Sequence, residues 1–146
     1  MDRSDAILVV EDNADDIELI RHAFKKAGVT NPVSFVDDGD KAVSYLSGIP
    51  PYDDRGHHPM PSLILLDLKL PRLSGFEVLE WIRANEETKL TPVVVLTSSN
   101  QRDDIQRVYE LCGNSYLVKP VRRSALQELI ESLDQYWVKL NRTACA

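Results

Sequence analysis

Leu63-Ile64-Leu65-Leu66 is an unbroken apolar run that follows Pro61-Ser62 and stops at Asp67, with Pro71 close behind. A run this short, bounded by prolines, suits a strand covered on both faces, and such strands belong to parallel sheets flanked by helices. Ala6-Ile7-Leu8-Val9-Val10 repeats the pattern and ends in Glu11-Asp12. Pro92-Val93-Val94-Val95-Leu96 repeats it again and ends in Thr97-Ser98-Ser99. Ser115-Tyr116-Leu117-Val118 ends in Lys119-Pro120, and Pro32-Val33-Ser34-Phe35-Val36 alternates in the manner of a more exposed strand.

Between these runs, apolar residues recur at helical spacing. Asn13 is placed to cap a first helix, with Asp15 and Asp16 in the first turn where the helix dipole favours acids. Ile17, Ile20, Phe24 and Ala27 form its apolar face and Gly28 its stop. A short helix is expected from about Asp40 to Leu46, closed by Gly48. Ser74 and Glu77 make a capping box for a helix carrying Phe76, Leu79 and Ile82. Ile105, Val108, Leu111 and Cys112 mark a fourth helix, stopped by Gly113. The last helix is expected to open at Ser124, with Gln127 three residues on, and to carry a stripe of Leu126, Leu129, Ile130, Leu133, Tyr136, Trp137 and Leu140.

Five strands alternating with five helices predict an α/β fold, a single doubly wound domain over residues 1–146 with its core at about 6–140. Residues 48–61 hold four prolines with Asp53, Asp54, His57 and His58, and read as a long exposed loop. Adjacent histidines in such a loop are expected to be solvated rather than metal-bound. The net charge of −6 argues against nucleic acid, whose phosphates require a basic face. The apolar runs are too short to cross a bilayer. Met1-Asp2-Arg3-Ser4 leads straight into the first strand without the pattern of a signal peptide. Cys112 and Cys145 have no metal spacing, and two scattered cysteines fit a reducing cytoplasm.

In a parallel sheet the strand ends share one edge. With strand order 2-1-3-4-5 the first and third strands are neighbours at the switch point, where such sheets place ligands. Glu11, Asp12 and Asp67 would then share a pocket, with Thr97 and Lys119 beside it. Two carboxylates about 5 Å apart repel by roughly 3 kcal/mol at an effective dielectric near 20, so three of them call for a cation. Oxygen ligands suit a hard divalent ion, Mg²⁺ by availability, better than zinc. Metal, ammonium and hydroxyl around a carboxylate are the parts that hold three phosphoryl oxygens, and the carboxylate can itself be the nucleophile, giving an aspartyl phosphate.

Val10-Glu11-Asp12-Asn13, Leu65-Leu66-Asp67, Leu96-Thr97-Ser98 and Val118-Lys119-Pro120 resemble the receiver domain of two-component response regulators, in order and spacing, from about Ile7 to Leu140. Glu11-Asp12-Asn13-Ala14-Asp15, the Pro-rich loop, Leu96-Thr97-Ser98-Ser99, Asn114-Ser115-Tyr116 and Tyr136-Trp137 are closer to stand-alone receivers that partner phytochrome-type histidine kinases. The resemblance implies a flavodoxin-like fold with Asp67 as phosphoacceptor. It implies Mg²⁺ bound by Asp12, by Glu11 through water, by Asp67 and by the backbone carbonyl of Lys69. Thr97 and Lys119 would grip the phosphoryl group, and Tyr116 would be the switch aromatic that packs inward when Thr97 is drawn to the phosphate. The Lys119-Pro120 bond would be cis. Lys69 stands where the family often has Asn, which bears on the lifetime of the phosphate. The protein would be a cytoplasmic signalling partner of a histidine kinase rather than an enzyme, without an output domain to act on DNA. It would form a homodimer through Tyr136, Trp137 and Leu140.

Rival readings lack their motifs. A Walker B strand needs a GxxxxGK[ST] loop, which does not occur. A haloacid-dehalogenase-type phosphatase needs DxD, where this chain has Asp67-Leu68-Lys69. A flavodoxin would place a Ser/Thr/Gly-rich phosphate loop where strand one here ends in acids. A pseudo-receiver that only interacts would lack part of the set, which is complete here.

Overall fold

The computed structural model describes residues 5–144. Met1-Asp2-Arg3-Ser4 and Cys145, which entered the expectations on targeting and redox compartment, lie outside the described residues. Five strands, β1 (Ala6–Val10), β2 (Val33–Val36), β3 (Pro61–Leu66), β4 (Val93–Thr97) and β5 (Ser115–Val118), form one sheet in the order β2-β1-β3-β4-β5. Every neighbouring pair is parallel. Five helices alternate with them: α1 (Ala14–Lys26), α2 (Gly39–Ser47), α3 (Gly75–Ala84), α4 (Arg102–Glu110) and α5 (Arg123–Leu133). The expected fold class and strand order are those observed.

The unbroken apolar runs are explained by the two cores. Leu8, Val10, Ile64, Leu66, Val93 and Val95 pack on one face of the sheet with Tyr45 and Leu46 of α2, Leu79 and Ile82 of α3, and Val108 of α4. Ile7, Val9, Leu63, Leu65, Val94 and Leu96 pack on the other with Ile20 and Phe24 of α1 and Leu126, Ile130 and Leu133 of α5. Successive strand residues point to opposite faces, so a strand covered on both sides has no polar position to spare until it leaves the sheet. Each large side chain so buried contributes roughly 2 kcal/mol.

Local signals set most helix ends. The Asn13 side chain accepts from the Asp16 N–H at 3.0 Å, and the Ser74–Glu77 capping box closes both ways. Gly48 ends α2 in the left-handed conformation at φ 72°. The last helix differs from expectation in two respects. Its first helical bond runs from the Leu126 N–H to the Arg122 carbonyl, so Ser124 lies inside the helix and no side chain caps it. After Leu133 the helix widens into a π-helical segment, Asp134–Leu140. The wider winding re-phases the apolar stripe. Trp137 and Val138 turn partly onto the core, whereas Tyr136 (53% exposed) and Leu140 (69% exposed) face out. The patch expected at Tyr136, Trp137 and Leu140 is thus divided, with Trp137 half-covered by its own chain.

Candidate phosphoryl and metal site

The site is made where four strands, β1, β3, β4 and β5, leave the sheet. Val10 pairs with Leu66 and Leu66 with Val95, so the residues that follow β1 and β3 emerge side by side. The Asp67 N–H still donates to the Val10 carbonyl at 3.1 Å, and the Glu11 N–H to the Val36 carbonyl at 3.0 Å. These bonds hold both acids at the mouth of the sheet. Glu11 and Asp67 are buried and Asp12 is exposed. One carboxylate oxygen from each of the three lies within 4.8 Å of the others.

Lys119 enters from just past β5, where its N–H donates to the Thr97 carbonyl at 2.7 Å. Its ammonium lies 2.5 Å from Glu11 Oε1, 2.9 Å from Asp16 Oδ2 and 3.1 Å from Asp67 Oδ2. The Lys119-Pro120 bond is not cis, contrary to what the family resemblance implies; the cis bond among the described residues is Pro50-Pro51. The trans isomer is the intrinsically favoured one, and it brings the ammonium to Asp67 without the exception. The other Asp67 oxygen, Oδ1, accepts from the Leu68 N–H at 2.7 Å, which fixes the carboxylate plane.

Charge in the pocket does not balance. Burial is the largest influence on Glu11 and pushes its carboxyl up to about 7, against the hydrogen bond from Lys119, and the charge of Asp67 pushes the same way as burial. Burial works to lower Lys119, but hydrogen bonds to Glu11 and Asp16 and the charge of Asp67 outweigh it and hold the ammonium well above its ordinary range. One ammonium serves three carboxylates, and Asp12 adds a fourth acid at the rim. An all-oxygen donor set with surplus negative charge fits a hard divalent cation. A second group is also unsatisfied: Thr97 is fully buried, and its hydroxyl is without a hydrogen-bond partner among the described residues. It is a donor placed at the end of β4 and available to an incoming oxygen.

The remaining expected residues are distributed around this pocket. Lys69 is exposed at its mouth. Tyr116 is half-buried against the α2–α3–α4 side of the core, and its hydroxyl donates to the Ser99 carbonyl at 2.9 Å. His58 packs edge-on against Tyr45 and Tyr52, while His57 pairs with Asp54 at 2.7 Å; neither lies in the acidic cluster. Two contributors went unrecognised in sequence. Asp16 reads there as a helix-dipole acid, and only the fold brings it to Lys119. Gly75 opens α3 against the strand end: a Cβ there would collide with the Asp67 carbonyl oxygen and Leu68 Cα. Glycine next to the capping serine was the available signal for that approach.

Comparison with known proteins identifies relatives along nearly the whole chain. The response regulator receiver domain pattern matches residues 7–131. The probable methanogenesis regulatory protein FilR2 of Methanothrix harundinacea is 39% identical over 137 residues, 94% of this chain and 86% of that protein. Response regulator Rcp1 of Synechocystis sp. is 36% identical over 133 residues, 91% of this chain and 88% of Rcp1. The Mn²⁺-bound crystal structure of Rcp1 aligns at a TM-score of 0.89, with 34% identity over 97% of this chain and 99% of that one. The phosphorylated cyanobacterial phytochrome response regulator RcpA aligns at a TM-score of 0.90, with 36% identity over 97% of this chain and 99% of that one.

Proposed function

The chain belongs to the response regulator receiver family, and from that premise we propose that it is a single-domain regulator that accepts a phosphoryl group on Asp67. The donor is a phosphohistidine of a histidine kinase, of the phytochrome type by similarity to the phytochrome response regulator RcpA. The observation that carries the reading is the juxtaposition of a buried Asp67 with two further acids, the Lys119 ammonium and the unmet Thr97 hydroxyl.

Each residue then has a task. An Asp67 carboxylate oxygen forms the new P–O bond as the P–N bond to the donor imidazole breaks and its electron pair returns to the ring nitrogen. The Leu68 N–H holds the carboxylate in place during the approach. Lys119 and Thr97 take two of the phosphoryl oxygens, supplying a charge and a hydrogen bond where the negative charge gathers. Glu11, Asp12, Asp67 and the Lys69 carbonyl would hold Mg²⁺, which when bound neutralises the charge that the acids and the phosphoryl group bring together. Tyr116, tied to the Ser99 carbonyl on the β4–α4 connection, is the switch aromatic that packs inward when Thr97 is drawn to the phosphate.

The protein acts through contacts with other proteins and is not an enzyme toward a separate substrate. A homodimer through the last helix is supported by the outward-facing Tyr136 and Leu140, with Trp137 beside them at the edge of the core. A cytoplasmic site of action is supported by the sequence spacing of the two scattered cysteines, Cys112 and Cys145. Acetyl phosphate with Mg²⁺ should add one acid-stable, base-labile phosphate to the wild type. EDTA should block the addition and Asp67→Asn should abolish it. Full labelling of Asp67→Asn would remove the reading.

A further inference from the structure

Asp15 and Asp16 sit side by side in the first turn of α1, and the fold treats them differently. Asp15 is exposed. Asp16 keeps 26% of its side-chain exposure, and its Oδ2 receives the Lys119 ammonium at 2.9 Å, joining α1 to the end of β5 across 103 residues. Lys119 is therefore held by three carboxylates, and they are not equivalent. Glu11 and Asp67 belong to the acidic cluster that suits a cation, whereas Asp16 does not. When the cluster serves a cation, Asp16 is the partner left to the ammonium alone.

A phosphoryl group on Asp67 needs the same ammonium. The Lys119 side chain is 9% exposed, so it cannot serve Asp16 and the new oxygens without a shift within a confined space. Accepting the Asp67 reading above, we propose that Asp16 is a positioning residue that retains the Lys119 ammonium at rest and sets how readily Lys119 is released to the phosphoryl group. Loss of its charge frees Lys119 and speeds phosphorylation. Asp15, which shares the helix dipole but not the ammonium, has no such effect.

The test is phosphorylation of the full chain by acetyl phosphate at saturating Mg²⁺, followed by intact mass. Asp16→Asn should raise the apparent second-order rate constant on the order of three- to tenfold. Asp15→Asn should change it by less than about twofold, and Asp16→Glu should return it toward wild type. The gain should vanish in a Lys119→Ala background, because the effect runs through that side chain. Asp16→Ala serves as the second charge-removing variant, with circular dichroism to check folding. A gain equal to that of Asp15→Asn, a decrease, or a gain that survives in Lys119→Ala would overturn the inference. A wild type that takes no phosphate at all would instead bring down the Asp67 reading and this inference with it. A phosphorylated wild type indifferent to Asp16 removes only the inference.

Discussion

The two edges of the sheet treat their cations in opposite ways. Where the strands begin, Arg83 donates to the carbonyls of Cys112, Lys89 and Thr91 and to the Asn114 side-chain oxygen at 2.8–3.1 Å. Arg55 does the same for the Tyr45, Leu46 and His58 carbonyls, closing the end of α2 against the Pro-rich loop. Every acceptor in those two sets is a neutral oxygen, and each arginine stitches several segments together. Where the strands end, one ammonium is shared among three carboxylates, and a buried hydroxyl lacks a partner among the described residues. The first edge is satisfied as a structure. The second is short of positive charge and of an acceptor, and a cation with a phosphoryl group supplies both.

If that contrast is right, perturbing the two edges has separable consequences. The largest concerns pH. Glu11 is raised from 4.5 to about 7 in the folded protein, so the unfolded chain gives up this proton first. The resulting penalty is absent below about pH 4.5, grows as pH rises toward 7 and is constant above it, reaching at most about 3 kcal/mol. Urea unfolding in EDTA should therefore show lower stability at pH 8 than at pH 5, and saturating Mg²⁺ should flatten the slope. Equal metal-free stability at both pH values would mean that the strand-end pocket carries its charge without strain.

Arg83→Ala probes the other edge. It should cost about 2 kcal/mol, because several carbonyls lose their donor at once, while the folded variant is phosphorylated within about twofold of the wild-type rate. A phosphorylation defect with full stability would reverse the roles assigned to the two edges. Asp67→Asn should have the opposite sign of stability effect: in EDTA it gains about 1 kcal/mol by removing one of the crowded charges. A loss of stability there would show that the acids are balanced as they stand. The smallest effect is expected at Lys69, which is exposed at the pocket mouth. Lys69→Asn should alter the half-life of the aspartyl phosphate by about two- to fivefold, with Mg²⁺ affinity nearly unchanged. An unaltered half-life would place its side chain in solvent throughout.

The working edge was far more legible in the sequence than the structural one. Leu63–Leu66, Ala6–Val10 and Val93–Leu96 announce strands covered on both faces, and each stops at a residue that chemistry can use. Asn13, Ser74 and Glu77 mark their helix ends by local bonds, which is why those boundaries are read correctly. Arg83 and Arg55 look like ordinary surface charges, because backbone carbonyls as acceptors leave no trace in residue type. Asp16 is hidden for a related reason: its partner is 103 residues away, and spacing along the chain says nothing about it. The change from α to π winding at Asp134 is likewise invisible to a search for a 3.6-residue period, and it moves Val138 inward while turning Leu140 out.

The central claim is that Asp67 itself receives the phosphoryl group. Borohydride reduction of the phosphorylated protein converts an acyl phosphate to an alcohol, so peptide sequencing by mass spectrometry can locate it. After incubation with acetyl phosphate and Mg²⁺, homoserine should appear at position 67, and its yield should fall to background in EDTA. Homoserine at Asp12 or Asp16 with an unreduced Asp67, or incorporated phosphate that leaves no reduced residue, would contradict the account.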